Sequence, residues 1–289
     1  MKEEEVLEKL LTNIQNNNPK SKMCPKEFNE KHPNKANYYF ENYEDNFYKS
    51  CISEKMKKKI NKNHARAIYN SAVMIYNLLG EKVEWDGKNY TVEYEKELPV
   101  IKDNTGKDHI AHLDFFMECD DNILFGEAKM IEWFGSPKYL KKAYLIEESY
   151  EKDDEKIFIK KFDEFIIRDD DGTRHEVKSG YKSIYTKYDA FQMLIHILGI
   201  YKFIKSKEYN GKKDIKLINV VWGNDSIEAY QKEKKEANDF IKKANEIFKQ
   251  IFEDYGVNFK IEYYNYNEFK KKITFTDKNR ENYLDRYNI

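Results

Sequence analysis

Between Glu3 and Asn17 apolar residues recur at Val6, Leu10, Leu11 and Ile14, a spacing that predicts a helix, and Asn16-Asn17-Asn18-Pro19 stops it. A second helical stretch runs from His64 to Gly80, with Ile68, Ala72, Ile75 and Leu79 on one face and Gly80 as its stop. From Tyr90 to Val100 the period changes to two. Tyr90, Val92, Tyr94 and Leu98 alternate with Thr91, Glu93, Glu95 and Glu97, and Pro99 stands near the end, which predicts a strand with one wet face. His109–Glu118 and Ile123–Met130 follow as two more strands, and the turn formers Asp120, Asp121 and Asn122 between them predict a hairpin. Pro137–Lys152 predicts a helix, Glu155–Asp171 has no clear period, and Thr186–Ile204 predicts a helix with Phe191, Leu194, Ile195, Leu198 and Ile204 apolar. Lys216–Trp222 reads as a buried strand, Ser226–Tyr255 as a long charged amphipathic helix, Val257–Tyr263 as a short strand, and the remainder as helical or irregular.

Helix, three strands, helix, strand, helix is the order of an α/β (α+β) mixed sheet with helices on its faces. No internal repeat or low-complexity linker divides the chain. Residues 1–63 read as a helical N-terminal extension packed on the core, 64–225 as the core, and 226–289 as a helix-rich C-terminal extension of the same domain.

Composition changes this picture in two places. Charged residues make up 36% of the 289, a level that suggests disorder, but 23 Tyr, 18 Phe and 3 Trp supply the apolar area of a real core. The 51 Lys+Arg are balanced by 52 Asp+Glu, which excludes a wholesale polycationic nucleic-acid binder while leaving room for a local basic face. The longest apolar-leaning stretch, Ala190–Ile204, is interrupted by Gln192, His196 and Lys202 and falls short of the ~20 residues a bilayer span needs, so no membrane partner is expected. Cys24, Cys51 and Cys119 form no CxxC pair, and the acidic Met1–Glu5 start is followed by no secretory pattern; a reducing cytoplasm is the expected compartment.

The candidate chemistry lies on the hairpin. Asp114 stands on its first strand and Glu127-Ala128-Lys129 on its second. Residues two apart on a strand share a side, so Glu127 and Lys129 project together and Ala128 points away. A two-residue loop at Asp120-Asp121 pairs 114 with 127, and a four-residue loop pairs 114 with 129; either places all three charges on one face, whereas a three-residue loop excludes Asp114. Two carboxylates and a lysine so placed suit metal-assisted phosphodiester hydrolysis. Asp114, Glu127 and the Ala128 carbonyl offer hard oxygen ligands to Mg²⁺, with Mn²⁺ as a substitute. Lys129 would hold or deprotonate the attacking water, or stabilise transition-state charge. Phe115, Phe116, Ile123, Leu124 and Phe125 make the hairpin central, where unpaired charges are costly, and Gly126 leaves room for a close approach.

This pattern resembles the PD-(D/E)XK nuclease superfamily, with Asp114 on the second strand and Glu127-Ala128-Lys129 on the third. NSAVMIYNLLG at 70–80, ELPV at 97–100, AHLDFFME at 111–118, FGEAKMIEWF at 125–134 and FQMLIHILGI at 191–200 together look like a bacterial group of restriction-endonuclease-like proteins within it, over roughly 70–222. Leu113 stands where the superfamily usually has Pro. The resemblance implies a restriction-endonuclease-like αβββαβ core. It also implies that Gln192, on the helix after the motif, orients the attacking or a metal-bound water, with His196 behind it.

Glu97 is a further acidic candidate on the wet face of its strand, and Glu132 follows the motif closely. Asn70, Ser71 and Asn77 lie on the second helix, within reach of a site or of phosphates, but Ser and Asn on a helix are more often exposed or back-bonded. For phosphate contacts the candidates are Lys55, Lys57, Lys58, Lys59 and Lys62, with Lys138, Lys141 and Lys142. The expected function is a Mg²⁺-dependent DNA endonuclease of restriction or genome-defence type, with DNA and a divalent metal as partners. A homodimer would let one site per chain cut both strands. The alternatives are a nuclease of the same fold working in repair or RNA processing, and a non-catalytic DNA-binding protein that keeps the fold.

Overall fold

The computed structural model describes residues 1–17, 40, 43–48, 67–102, 106–135, 139–150, 152–177, 180–212 and 214–288. Helix α1 (Glu3–Asn17) buries Val6, Leu10 and Ile14 as their spacing predicts, with Leu7 buried beside them and Leu11 only half-buried. The second helix, α2, is shorter than expected, Ser71–Leu79. Asn70 sets its start, since its side chain accepts from the Val73 amide (2.9 Å), and Gly80 ends it at φ 63°. Strand β1 (Lys82–Trp85) then turns through Asp86-Gly87 into β2 (Lys88–Lys102). Both turn residues have positive φ, 51° and 76°, as a tight two-residue hairpin requires. Strands β3 (Asp108–Glu118) and β4 (Asn122–Lys129) complete an antiparallel run.

The expected helix over 137–152 is absent over its described residues. Leu140–Lys141 instead forms β5, followed by single helical turns at Lys142–Leu145 and Glu147–Ser149. It pairs with β7 (Gly180–Tyr181), which also pairs with β6 (Glu176–Val177). Any Cβ at Gly180 would lie 2.1 Å from the Leu140 carbonyl oxygen, so this approach needs glycine. Helix α3 (Asp153–Lys160) and a helical turn at Lys161–Phe165 occupy the stretch without a clear period. Helix α4 (Ala190–Ile204) begins four residues later than expected because the Asp189 side chain caps it, accepting from the Gln192 amide. Strand β8 (Asp214–Val221), the long helix α5 (Glu228–Glu253) and strand β9 (Asn258–Asn265) follow. The chain ends with α6 (Tyr266–Lys270), β10 (Ile273–Thr274) and α7 (Lys278–Tyr283).

The main sheet has the order β10-β1-β2-β3-β4-β8-β9. Its first five strands pair antiparallel, and β4, β8 and β9 run parallel. The mixed α+β architecture expected from the pattern is therefore present. One core lies between the sheet and α3, α4 and α5; the other is formed by α1, α2 and the C-terminal elements. Among the described residues no helix is long and apolar enough to cross a membrane.

Two local features position the hairpin. The β3–β4 turn is the two-residue one, with the Cys119 amide donating to the Asn122 carbonyl (3.1 Å) and Phe115 opposite Gly126. The space at Gly126 is taken by the Phe115 ring, 1.9 Å from where a Cβ would stand, so this glycine admits an aromatic neighbour and no ligand. The second feature lies on β2 and β3. Tyr94 pairs with Phe115 and Lys96 with Leu113, flanking Glu95 and Asp114. Residues of one parity on either side of that point join opposite cores: Tyr94 and Phe115 lie with α1 and α2, Leu98 and Leu113 with α4. Both strands exchange faces there, and Glu95 takes φ 55°, a left-handed conformation costly for a residue with a Cβ.

Candidate active site

Glu127 is the centre of the site. It is 3% exposed, on the side of β4 that faces α4. Its Oε1 accepts from Lys129 Nζ (2.6 Å) and Gln192 Nε2 (2.8 Å), and its Oε2 from His196 Nε2 (3.1 Å). Asn219 of β8 donates to its backbone carbonyl (3.2 Å). Period two on β4 brings Glu127 and Lys129 together, and the four-residue spacing on α4 brings Gln192 and His196 over them. Burial acts to raise the Glu127 carboxyl, but Lys129 and His196 outweigh it and hold it down at about 2. For Lys129 burial acts to lower the ammonium, and the charges of Glu127, Glu132 and Asp114 overcome it and raise it. Lys129 is thus a fixed positive charge with donors to spare beyond its Glu127 bond.

Asp114 sits where the strands exchange faces. The paired register of β3 and β4 runs from Glu118–Ile123 to Phe115–Gly126 and stops one residue short of Asp114, whose carboxylate turns to the neighbouring backbone, where Oδ2 accepts from the Ala128 amide (2.7 Å). Burial, then the Glu127 charge, push its carboxyl well up. The expectation that Asp114, Glu127 and Lys129 simply share one open face is corrected accordingly. Glu127, Lys129 and Gln192 line a common cavity, and Asp114 is not among its lining residues. Ala128 points into the opposite core, as its position predicts.

The cavity has a volume of about 90 Å³, room for several waters. Glu132, Trp133, Lys187, Tyr188, Asp189, Met193, Asn219 and Glu233 complete its wall. Two buried polar atoms of lining residues have no hydrogen-bond partner among the described residues, Gln192 Oε1 and the Tyr188 hydroxyl. Glu132 is drawn back onto the protein, its Oε1 accepting from Ser71 Oγ (3.0 Å) and its Oε2 from the Met130 amide (2.5 Å).

The remaining candidates separate cleanly. Glu97 lies off the site, exposed and 3.7 Å from exposed His112. Asn70 is the α2 cap, and Asn77 is buried, donating to Asn46 and Tyr287. Lys141 and Lys142 are exposed, Lys142 paired with Glu176. Lys55, Lys57, Lys58, Lys59, Lys62 and Lys138, with Cys24 and Cys51, lie outside the described residues; Cys119 is a free thiol. Glu95 and Glu233 were missed. Glu233 carried a usable signal, since a carboxyl at position 233 falls on the apolar stripe of α5.

Among the described residues no group of three or more His, Cys, Asp or Glu converges as a metal cage. Mg²⁺ accepts as few as one or two carboxylates plus water and substrate oxygens, and of the two candidate carboxylates Glu127 is the one that lines the cavity. The charge of buried Glu127 acts on half-buried Asp114, and an unpartnered amide oxygen, Gln192 Oε1, stands beside Glu127. No family model, curated protein or solved structure matches this chain.

Proposed function

We propose that the chain is a divalent-metal-dependent nuclease that hydrolyses DNA phosphodiester bonds, of restriction or genome-defence type. The observation that carries this reading is the buried Glu127 carboxylate, held by Lys129, Gln192 and His196, with Asp114 of β3 near enough for the two charges to act on each other. A structural ion pair needs neither the open cavity nor the spare donors and acceptors found here. The order α2, β2, β3, β4, α4, β8 supports the αβββαβ core that the PD-(D/E)XK resemblance implies.

Glu127 would hold Mg²⁺ or Mn²⁺, joined by Asp114 on turning its carboxylate from the Ala128 amide, and the metal would supply acidification of water and charge neutralisation at phosphorus. Lys129 offers its remaining ammonium donors to a non-bridging phosphate oxygen. Gln192 anchors its amide nitrogen on Glu127, which leaves Oε1 to accept a hydrogen bond from the attacking water and aim its lone pair. His196 fixes the other carboxylate oxygen, so Glu127 keeps its orientation through the reaction.

The test is incubation of the purified protein with supercoiled plasmid, linear duplex and single-stranded RNA, in Mg²⁺, Mn²⁺ or EDTA, beside Asp114→Ala and Lys129→Ala. Metal-dependent nicking or cutting of DNA, lost in both variants, is expected. Cutting of RNA alone would redirect the substrate to RNA. No cutting of any substrate, with calorimetry showing no metal uptake, would overturn the enzyme reading.

A further inference from the structure

Helix α5 interrupts its own apolar stripe at one place. Tyr230, Ala237, Phe240, Ala244, Phe248 and Phe252 are its buried positions, and Glu233 falls on the same stripe at 4% exposure. A carboxyl in a core position is unfavourable by several kcal/mol unless it is neutral or well partnered, on the order of the cost of any desolvated charge. Here the Tyr263 hydroxyl of β9 donates to Oε2 (3.0 Å), and the side chain lines the cavity that holds Glu127 and Lys129.

One turn further along α5, Glu236 fixes another stretch of the cavity wall. Its carboxylate accepts from the backbone amides of Thr186 (2.8 Å), Lys187 (2.6 Å) and Tyr188 (3.0 Å) and from the Thr186 hydroxyl (2.8 Å). That clamp sets Tyr188, which is 3% exposed, lines the same cavity and has a hydroxyl with no partner among the described residues. Two successive acidic residues of α5 thus have different tasks: Glu236 holds the loop, and Glu233 faces the space it encloses. The unpartnered Tyr188 hydroxyl and Gln192 Oε1 mark that space as one a polar ligand fills.

We propose that Glu233 is the general acid of this site, protonating the oxygen that leaves phosphorus. The inference rests on the phosphodiesterase reading above. The attacking water oxygen forms the new bond to phosphorus and releases its proton to solvent. The bond from phosphorus to the leaving oxygen breaks with its electron pair on that oxygen, which takes the Glu233 proton and departs as an alcohol. The resulting Glu233 carboxylate is reprotonated from solvent. The groups facing it are Tyr230 and Glu236 on its own helix, Tyr263 on β9, Glu132 and Lys129 after and on β4, and Tyr188 on the loop. Burial first, then Glu236 and Glu132, raise its carboxyl to about 8 against the Tyr263 hydrogen bond and Lys129, so a proton is present at neutral pH.

The deciding experiment uses the Glu233→Gln variant, checked for an unchanged fold by circular dichroism, and an oligonucleotide duplex carrying a cleavage site mapped on plasmid. One substrate has the natural leaving oxygen; in the other, sulfur replaces it and leaves as a thiolate without needing a proton. The variant is expected to lose about 100-fold or more on the oxygen substrate and to stay within about threefold of native on the sulfur substrate. Equal slowing of both, or no slowing of either, would overturn the assignment of Glu233 and leave the nuclease reading intact. If the native protein cuts neither substrate in Mg²⁺ or Mn²⁺, the nuclease reading falls and this inference with it. An infrared difference spectrum, native minus Glu233→Gln at pH 7, should contain the carbonyl band of a protonated carboxyl, and its absence would count against the proposal regardless of activity.

Discussion

At the C-terminal end of α4, Tyr201 and Lys205 meet Asp154 of α3. Asp154 Oδ2 accepts from the Tyr201 hydroxyl (2.7 Å), the Tyr255 hydroxyl (2.8 Å) and the Lys205 ammonium, while Lys202 lies 3.3 Å from Glu155. Burial acts to raise the Asp154 carboxyl, but Lys205 and the two tyrosines outweigh it and hold it far down. None of its side-chain atoms is among the buried polar atoms lacking a partner. At the N-terminal end, Gln192 and His196 also converge on a carboxylate, yet Gln192 Oε1, His196 Nδ1 and the nearby Tyr188 hydroxyl go without partners among the described residues. Both networks gather polar side chains of one helix around a carboxylate. A network that serves stability closes on itself, and one that serves chemistry keeps valences open toward a cavity, at a cost of about 1–3 kcal/mol for each buried group left unmade.

The largest effect that can break this comparison is on cleavage. Asp114→Asn and Lys129→Ala should each lower the rate by about 1000-fold or more, since the first weakens the carboxylate set proposed for the metal and the second removes the positive charge offered to the phosphate. Lys205→Met at the closed end should leave the rate untouched. Gel assays of plasmid cutting check all three, and loss of activity in Lys205→Met would erase the distinction between the two ends.

Next in size is a pH-dependent stability difference. Glu233 has a folded-state value of about 8 against an ordinary 4.5. Between those values the unfolded chain has released this proton while the folded chain retains it, so the native protein loses stability as pH rises from 4.5 to 8 and levels off above. Glu233→Gln abolishes that loss. The variant should gain on the order of a few kcal/mol over native at pH 9 and little at pH 4.5, read from urea midpoints at the two pH values. A constant difference across pH would show that Glu233 is charged in the folded state. Lys205→Met should be milder, about 1–3 kcal/mol of lost stability, because Asp154 is 42% exposed and solvent screens part of the loss.

Glu127 and Lys129 were legible as a pair because period two assigns a side to every residue, whereas the acidic turn formers left both a two-residue and a four-residue closure of β3 onto β4 open. Gln192 and His196 were legible for the matching reason on a helix. The exchange of faces at Glu95 and Asp114 was not, since the left-handed residue is a glutamate and no glycine advertises it. Strand β1 did have its signal, Asp86-Gly87 between Trp85 and Lys88, and went unread beside the longer alternation after it. The expected helix over 137–152 failed because Leu140, Tyr144, Leu145 and Tyr150 are buried against β7 and α3 from short turns, a tertiary arrangement that local spacing does not encode. Glu233 did have its signal, a carboxyl on the apolar stripe of α5, and it went unread beside Lys232, Lys234, Lys235 and Glu236, which belong to the charged face.

The smallest effect tests the exchange of faces itself. On an uninterrupted strand Glu95 and Glu97 would share a side, and either would serve equally as an extra carboxylate for the site. With the exchange at Glu95, Tyr76 donates to Glu95 (3.3 Å) and the Glu95 charge reaches Asp114, whereas Glu97 pairs opposite His112 with both side chains more than half exposed. Glu97→Gln should therefore change stability by no more than about 0.5 kcal/mol and leave cleavage at the native rate. Glu95→Gln, next to Asp114, should shift the metal concentration needed for half-maximal cleavage. If Glu97→Gln were the variant that shifted it, β2 would present its outer carboxylates to the site without the exchange, and Asp114 would have to face the cavity directly.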